Sequence, residues 1–360
     1  MSVTVQNTTA SLSGKTLAIL EGSQTFTGQK TFNVGASAPF VVVSGAAKVD
    51  NLDADKLDGQ TGSYYNDAAN LTGQVPTANL QNGVDLNAVC GRLTLTTALP
   101  VTTADVTAAG TLYYALYKGN RIALYTGSAW QYFTIAQLSI AVPAAANQVY
   151  DAFIDYNAGT PALSLTAWTN DTTRATALTT QDGVLVLTGS TGKRYVGTVR
   201  TITASQLNDT AAFRHVWNYY NRVPRPLRIS DATATWTYDG VLRQARATAT
   251  NQVDIVIGVA EVPVSLVINE VVTNSAGTMN VGVSIGEDST SAAATGYTGG
   301  AQVIAAAAGY VLLSGYLNKF PAVGRHIYTW LEFASAATTT WHGAALTGGG
   351  AYGLTGTIEG

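Results

Sequence analysis

Apolar residues along this chain recur in short runs that alternate with polar ones and break at Gly, Asn, Asp, Ser and Pro. That is the period-2 signature of half-buried strands bounded by turns. Residues 111–117, 121–125 and 130–134, joined at Lys118-Gly119-Asn120 and Gly127-Ser128, predict a three-stranded meander. Further strands are predicted at 152–156, 163–168, 183–187 and 195–202, then at 234–238, 252–259, 264–272, 279–285, 309–316 and 326–333. A helical period shows only over 208–220, with Asn208 or Asp209 as N-cap. The fold class expected is mainly β: an extended N-terminal stalk followed by two antiparallel β-sandwich-like domains.

The first 85 residues read differently from the rest. They offer short apolar pieces at 17–20 and 40–43, and only Phe26, Phe32, Phe40, Tyr64 and Tyr65 supply aromatic bulk. Strands with so little to bury are unstable alone and become viable when copies pack around a shared axis. A trimeric stalk is therefore expected, with Asp53, Asp55, Leu57, Tyr64 and Tyr65 as its candidate contacts. Charge divides the chain in the same way. Residues 1–85 carry 4 Lys against 7 acids, residues 86–228 carry 11 Lys and Arg against 6, and residues 229–360 carry 4 against 9. Alternating signs mark modules with different neighbours. The prolines at 224 and 226 deny ladder donors, so 222–228 is expected to be the linker between domains 86–228 and 229–360.

Composition narrows the chemistry. Only 11% of the residues are charged, under half the ~25% of ordinary soluble domains, as in a surface that is largely covered. One cysteine, Cys90, excludes a disulfide framework and a thiolate zinc site. Three histidines, His215, His326 and His342, leave little for metal or general-base chemistry. No cofactor is expected. The start, MSVTVQNTTA, lacks the basic and apolar regions of a signal peptide. The most apolar stretch, 253–272, holds Asp254, Glu261 and Glu270, so it predicts strands and no membrane insertion.

Motifs with catalytic overtones resolve into turns and strands. Gly282-Val-Ser-Ile-Gly286 matches the hydrolase elbow, with His326 or His342 as base and Asp288 as orienter, but the helix that elbow needs is absent and a plain strand is expected. Asp50, Asp53, Asp55 and Asp58 miss the calcium-loop spacing and predict a solvated turn, with an axial cation in a trimer left open. Gly14-Lys15-Thr16 and Gly189 to Lys193 lack the first glycine of a phosphate loop. Only six Glu are present, and no local pattern picks a glycosidase pair. The chain is expected not to be an enzyme.

Two binding constellations remain. Trp130, Trp168, Trp236, Tyr297 and Trp341 are candidate platforms for a sugar ring or a partner. Arg214, Arg222, Arg225 and Arg228, interleaved with Trp217, Tyr219 and Tyr220, have the make-up of a polyanion groove. The favoured alternative is an interdomain or partner junction, with Arg stacked on the aromatics or paired to acids, and no nucleic acid.

Residues 51–59 (NLDADKLDG), Ser63-Tyr64-Tyr65 and Leu71-Thr-Gly-Gln-Val-Pro76 resemble the repeat of tailed-bacteriophage tail fibres and virion spikes, as does Gln24-Thr-Phe-Thr-Gly-Gln-Lys-Thr-Phe32. Residues 118–130, 167–174, 216–226 and 328–332 resemble uncharacterised phage structural proteins. The resemblance implies a homotrimer in the virion, made in the bacterial host cytoplasm. Its N-terminus would attach to other virion proteins, and its distal domains would meet a host glycan or protein. A head fibre or capsid-bound decoration protein is the alternative. A polysaccharide-degrading tailspike is the second, and its repeating rung is not visible here.

Overall fold

In a computed structural model, residues 84–305, 307, 309–343 and 352–360 are described, together with a two-stranded antiparallel ladder of Lys56–Leu57 and Gln60–Thr61. Leu57 stands opposite Gln60 in that ladder. The expectations for Asp53, Asp55, Tyr64 and Tyr65 lie outside the described residues. The chain divides into two compact units, Met1–Gln74 and Val75–Gly360, about ten residues before the expected boundary at 85.

The body is nearly all β, with 56% of the described residues in strands and 2% in helix. One sheet of 14 strands and one of seven dominate it. The spine of the larger sheet's first half is Ser190–Thr203, which pairs with Val149–Asp155, Gln206–Asp209 and Val216–Asn218. We number the strands of the C-terminal sandwich β1 Pro224–Ile229, β2 Gln252–Ile257, β3 Val264–Asn274, β4 Met279–Glu287, β5 Thr298–Gly299, β6 Val311–Lys319, β7 Gly324–Ala334, β8 Thr339–His342 and β9 Gly353–Glu359. The larger sheet continues through β2, β7 and β4. The smaller runs β1-β9-β3-β6-β5, with β8 lying end to end with β9 along β3.

Several expectations need correction. The division at 228 does not coincide with a break in packing. Phe213–Arg214 pairs in parallel with β2, so the large sheet crosses it. The main core likewise joins Phe153, Trp168, Tyr195 and Trp217 to Ile255, Ile268 and Trp330. The expected linker is instead β1, an edge strand on β9. An edge needs donors on one side only, which is why two prolines fit. The expected helix over 208–220 is replaced by short strands around a turn in which Thr210 and Phe213 bond each other's backbone. Asp209 caps nothing; its carboxylate takes Arg214 and Arg225. The meander also splits: Thr111–Ala115 pairs with Arg92–Thr94 and Leu138–Ala141, while Arg121–Tyr125 and Trp130–Thr134 form a separate hairpin.

The sandwich interior holds a carboxyl without a hydrogen-bond partner. The inward face of β3 presents Val264, Leu266, Ile268, Glu270 and Val272 to the core, all buried. Neither carboxylate oxygen of Glu270 has a hydrogen-bond partner. Burial, then the charge of Glu332 on β7, pushes this carboxyl well above the usual range; the backbone amides of His342 and Val271, near but outside hydrogen-bond geometry, only soften the shift. Glu332 is itself matched by Trp236 Nε1 at 2.7 Å, Arg243 Nε at 2.9 Å and the Arg246 amide at 3.0 Å, and Asp231 by Arg246 and Asn251. A raised carboxyl favours folding below its unfolded value of ~4.3, and that contribution drains away as pH rises toward the folded value. Glu270→Met is expected to stabilise the fold at pH 7 by about 1–3 kcal/mol, the cost of an unmatched buried group. Denaturant melts from pH 4 to 8 check this: the gain should grow with pH.

Candidate binding surface

The outward face of the seven-stranded sheet follows from the alternation of β6. Leu313, Gly315 and Leu317 point into the core; Leu312, Ser314, Tyr316 and Asn318 point out. Gly315 is required there, because a Cβ would collide with the Tyr297 ring. Tyr316 stands opposite Val267 of β3 on one side and Thr298 of β5 on the other; Val267 in turn faces Thr355 of β9, and Thr355 faces Arg228 of β1. Leu312 stands opposite Val271. Just before β6, Tyr310 meets the His342 ring edge-on at 5.2 Å, and Phe320 follows the strand's end. Leu312 is 53% exposed, Tyr316 54%, Tyr310 63%, Phe320 63% and Val267 39%. The outward positions of β3 and β6 carry no charge, and a groove of about 520 Å³ runs between Val267, Tyr316 and Thr355. A signal for this face lay in residues 310–320, which are apolar at both parities, the pattern of a strand covered on both sides.

The predicted aromatic platforms are elsewhere, and they are core. Trp130 is buried, donating through Nε1 to Asp182 at 2.8 Å. Trp168 is buried beneath the Arg174 guanidinium, 4.4 Å from its ring. Trp341 points inward from β8 and is fully buried, while Trp236 packs against Trp330. Tyr297 is partly buried, its hydroxyl donating to the Val283 carbonyl at 2.7 Å. Each is a wide apolar ring serving the interior, where such rings contribute most. Trp168→Ala is expected to cost about 3–5 kcal/mol of stability, measured by denaturant unfolding.

The arginine group forms a junction. Arg214 and Arg225 share Asp209, at 2.9 and 2.7 Å, and also hold the carbonyls of Pro226 and Thr102. Arg222 lies over Trp217 and Tyr219 and pairs with Glu261. Arg228 alone of the four is exposed, at the edge of the outward face.

A second polar system ties the two halves of the large sheet. Asp171 takes Arg200 at 3.0 Å and Arg325 at 3.5 Å; Arg325 reaches Asp254 at 2.6 Å; His215 Nε2 lies 3.1 Å from Asp254 on the other side. Burial opposes the charge on Asp254, but His215 and Arg325 outweigh it and hold the carboxyl down to about 2. A depressed carboxyl stabilises above its unfolded value of ~3.9 and loses that contribution as pH falls toward 2. Asp254→Ala should therefore cost about 3–5 kcal/mol at pH 7 by leaving buried His215 without this partner and Arg325 with Asp171 alone. Unfolding measured from pH 6 to 2 should show the deficit shrink as the wild type is protonated.

The hydrolase-like motif lies within β4, as the strand reading expected. His326 Nδ1 does meet Asp288 at 2.8 Å, but its Nε2 is engaged by the Ala322 carbonyl at 3.0 Å. Ser284 is buried four residues up the strand from Asp288, about 13 Å at ~3.3 Å per residue, and its hydroxyl has no partner. Burial opposes the His326 charge, yet Asp288 raises the imidazole above its ordinary value.

No family model matches the chain, and no curated protein does. Among solved structures, it is similar to a chain of infectious bursal disease virus, Gx strain, at 13% identity and a TM-score of 0.22, over 71% of this chain and 65% of that one. It is also similar to a Bacillus thuringiensis Cry1Da tryptic core variant at 7% identity and a TM-score of 0.17, over 70% of this chain and 48% of that one. The chain thus spans under two thirds of the first of these chains and about half of the second.

Proposed function

We propose that this chain is a non-enzymatic structural component of a tailed-phage virion. In this reading it is a homotrimeric tail fibre or spike, attached through its N-terminal region and making contacts through its β body. The observation that carries the reading is the apolar, uncharged outward row of β3 and β6, with exposed Tyr310, Tyr316 and Phe320, on a body whose Trp130, Trp168, Trp217, Trp330 and Trp341 are buried. Exposed apolar patches of this extent mark interaction surfaces. The fibre-like segment at 51–76 supports the place of that interaction, since it resembles the attachment and shaft repeats of virion appendages. Function would arise from multivalency, with weak contacts multiplied by copy number.

Light scattering on the purified full chain should give a mass near three times 37.4 kDa. Antibody labelling should then place the protein on virions. A stable monomer, or clearing of capsular polysaccharide by the pure chain, would overturn the proposal.

A further inference from the structure

We infer that the outward face of β3, β6 and β9 is the surface on which a second copy of this chain docks. This rests on the multimeric reading above and assigns the contact. From Tyr310 to Phe320 the chain takes ten steps along β6, a line of about 33 Å at ~3.3 Å per residue. The 11, 9 and 7 residues of β3, β6 and β9 cover about 430 Å² in plan at ~3.3 Å per residue and ~4.8 Å between strands. Before side-chain relief is counted, that is about half of the ~800 Å² that each partner gives to a standard interface.

Its chemistry selects the occupant. A partner with the usual mixed-charge surface would bury charges against Leu312, Tyr316 and Val267 with nothing to pair them, and unpaired burial of that kind is costly. A second copy brings no charge at the outward positions of β3 and β6. The groups between the apolar side chains are hydroxyls and amides: Ser314, Asn318, Asn269, Thr298 and Thr355. Each such group both donates and accepts, so the face can satisfy its own copy without a complementary set. Charge returns at the rim with Arg228 on β1 and with Glu359 at the end of β9, as in interfaces with an apolar centre and a polar edge.

The test uses the full chain with Tyr316→Glu and Leu312→Glu, both at exposed positions, and Tyr316→Ser as a milder variant should either fail to fold by circular dichroism. Light scattering across a concentration series should show a multimer for the wild type and about 100-fold weaker association for the variants, as expected for a central contact. Tyr310 and Tyr316 should resist nitration in the multimer. A multimer whose mass is unchanged by all three variants, with Tyr316 freely nitrated, would overturn the assigned face and leave the virion reading standing. A wild-type monomer at every concentration would overturn both. A monomer whose Tyr316 becomes protected only on adding host-surface glycan would replace the second copy by a receptor.

Discussion

Asp254 occupies the seam of this molecule. Its strand pairs in parallel with Phe213–Arg214 on one side and antiparallel with β7 on the other, and its carboxylate is buried between His215 and Arg325. Continuity of the large sheet across residue 228 depends on this carboxylate staying charged and paired, because an ionised group out of water is tolerated only with close counter-charges. Gly324 opens β7 beside the same seam, where a Cβ would press on the Asp171 carbonyl. The Arg325 amide then donates to that carbonyl at 2.9 Å. The polar chain from Arg200 to His215 thus joins halves that the charge pattern had suggested were separate modules.

A body joined in this way leaves its binding capacity at the periphery. The two sheets of the sandwich consume their inward residues on each other, and the widest rings, Trp217, Trp330 and Trp341, are all fully buried. The outward row of β6 is left with apolar side chains that nothing in the described residues covers. Contrast with Glu270 shows how differently the two faces of β3 are used. Inside, burial pushes one unmatched carboxyl well above the usual range; outside, Val267 sits in water beside Tyr316. Both are departures from the usual pattern of apolar within and polar without, and such departures concentrate where a protein gives up stability for another purpose.

Much of the fold was legible from residue order. Strands at 121–125, 130–134, 264–272 and 279–285 were visible as alternating runs because a strand's period is local. The 208–220 stretch misled because its apolar spacing fits a helix, and only the partners of Gln206–Asp209 and Phe213–Arg214 made it strand. The 222–228 prolines misled because a missing donor is equally compatible with a linker and with an edge. The candidate site was less legible. Aromatic residue type points to a binding role, but it does not separate buried Trp130, Trp168 and Trp341 from exposed Tyr310, Tyr316 and Phe320, since no local rule states which ring has a second sheet in front of it.

Sequence alone determined the β character, the short connections, the absence of a thiolate metal centre and the low surface charge, all of which follow from composition and nearest neighbours. It also placed Arg222 among aromatics and acids, because that grouping is local on one side. Tertiary structure decided which strands share a sheet, that the core crosses residue 228, and that Asp254 and Glu270 meet opposite fates, one carboxyl held below the usual range and one pushed well above it. These outcomes depend on groups brought together from far apart in the chain: Arg325 beside Asp254, Glu332 facing Glu270, and Val267 beneath Tyr316. Pairing, burial and field strength belong to those encounters, and they exist only once the sheets have closed on each other.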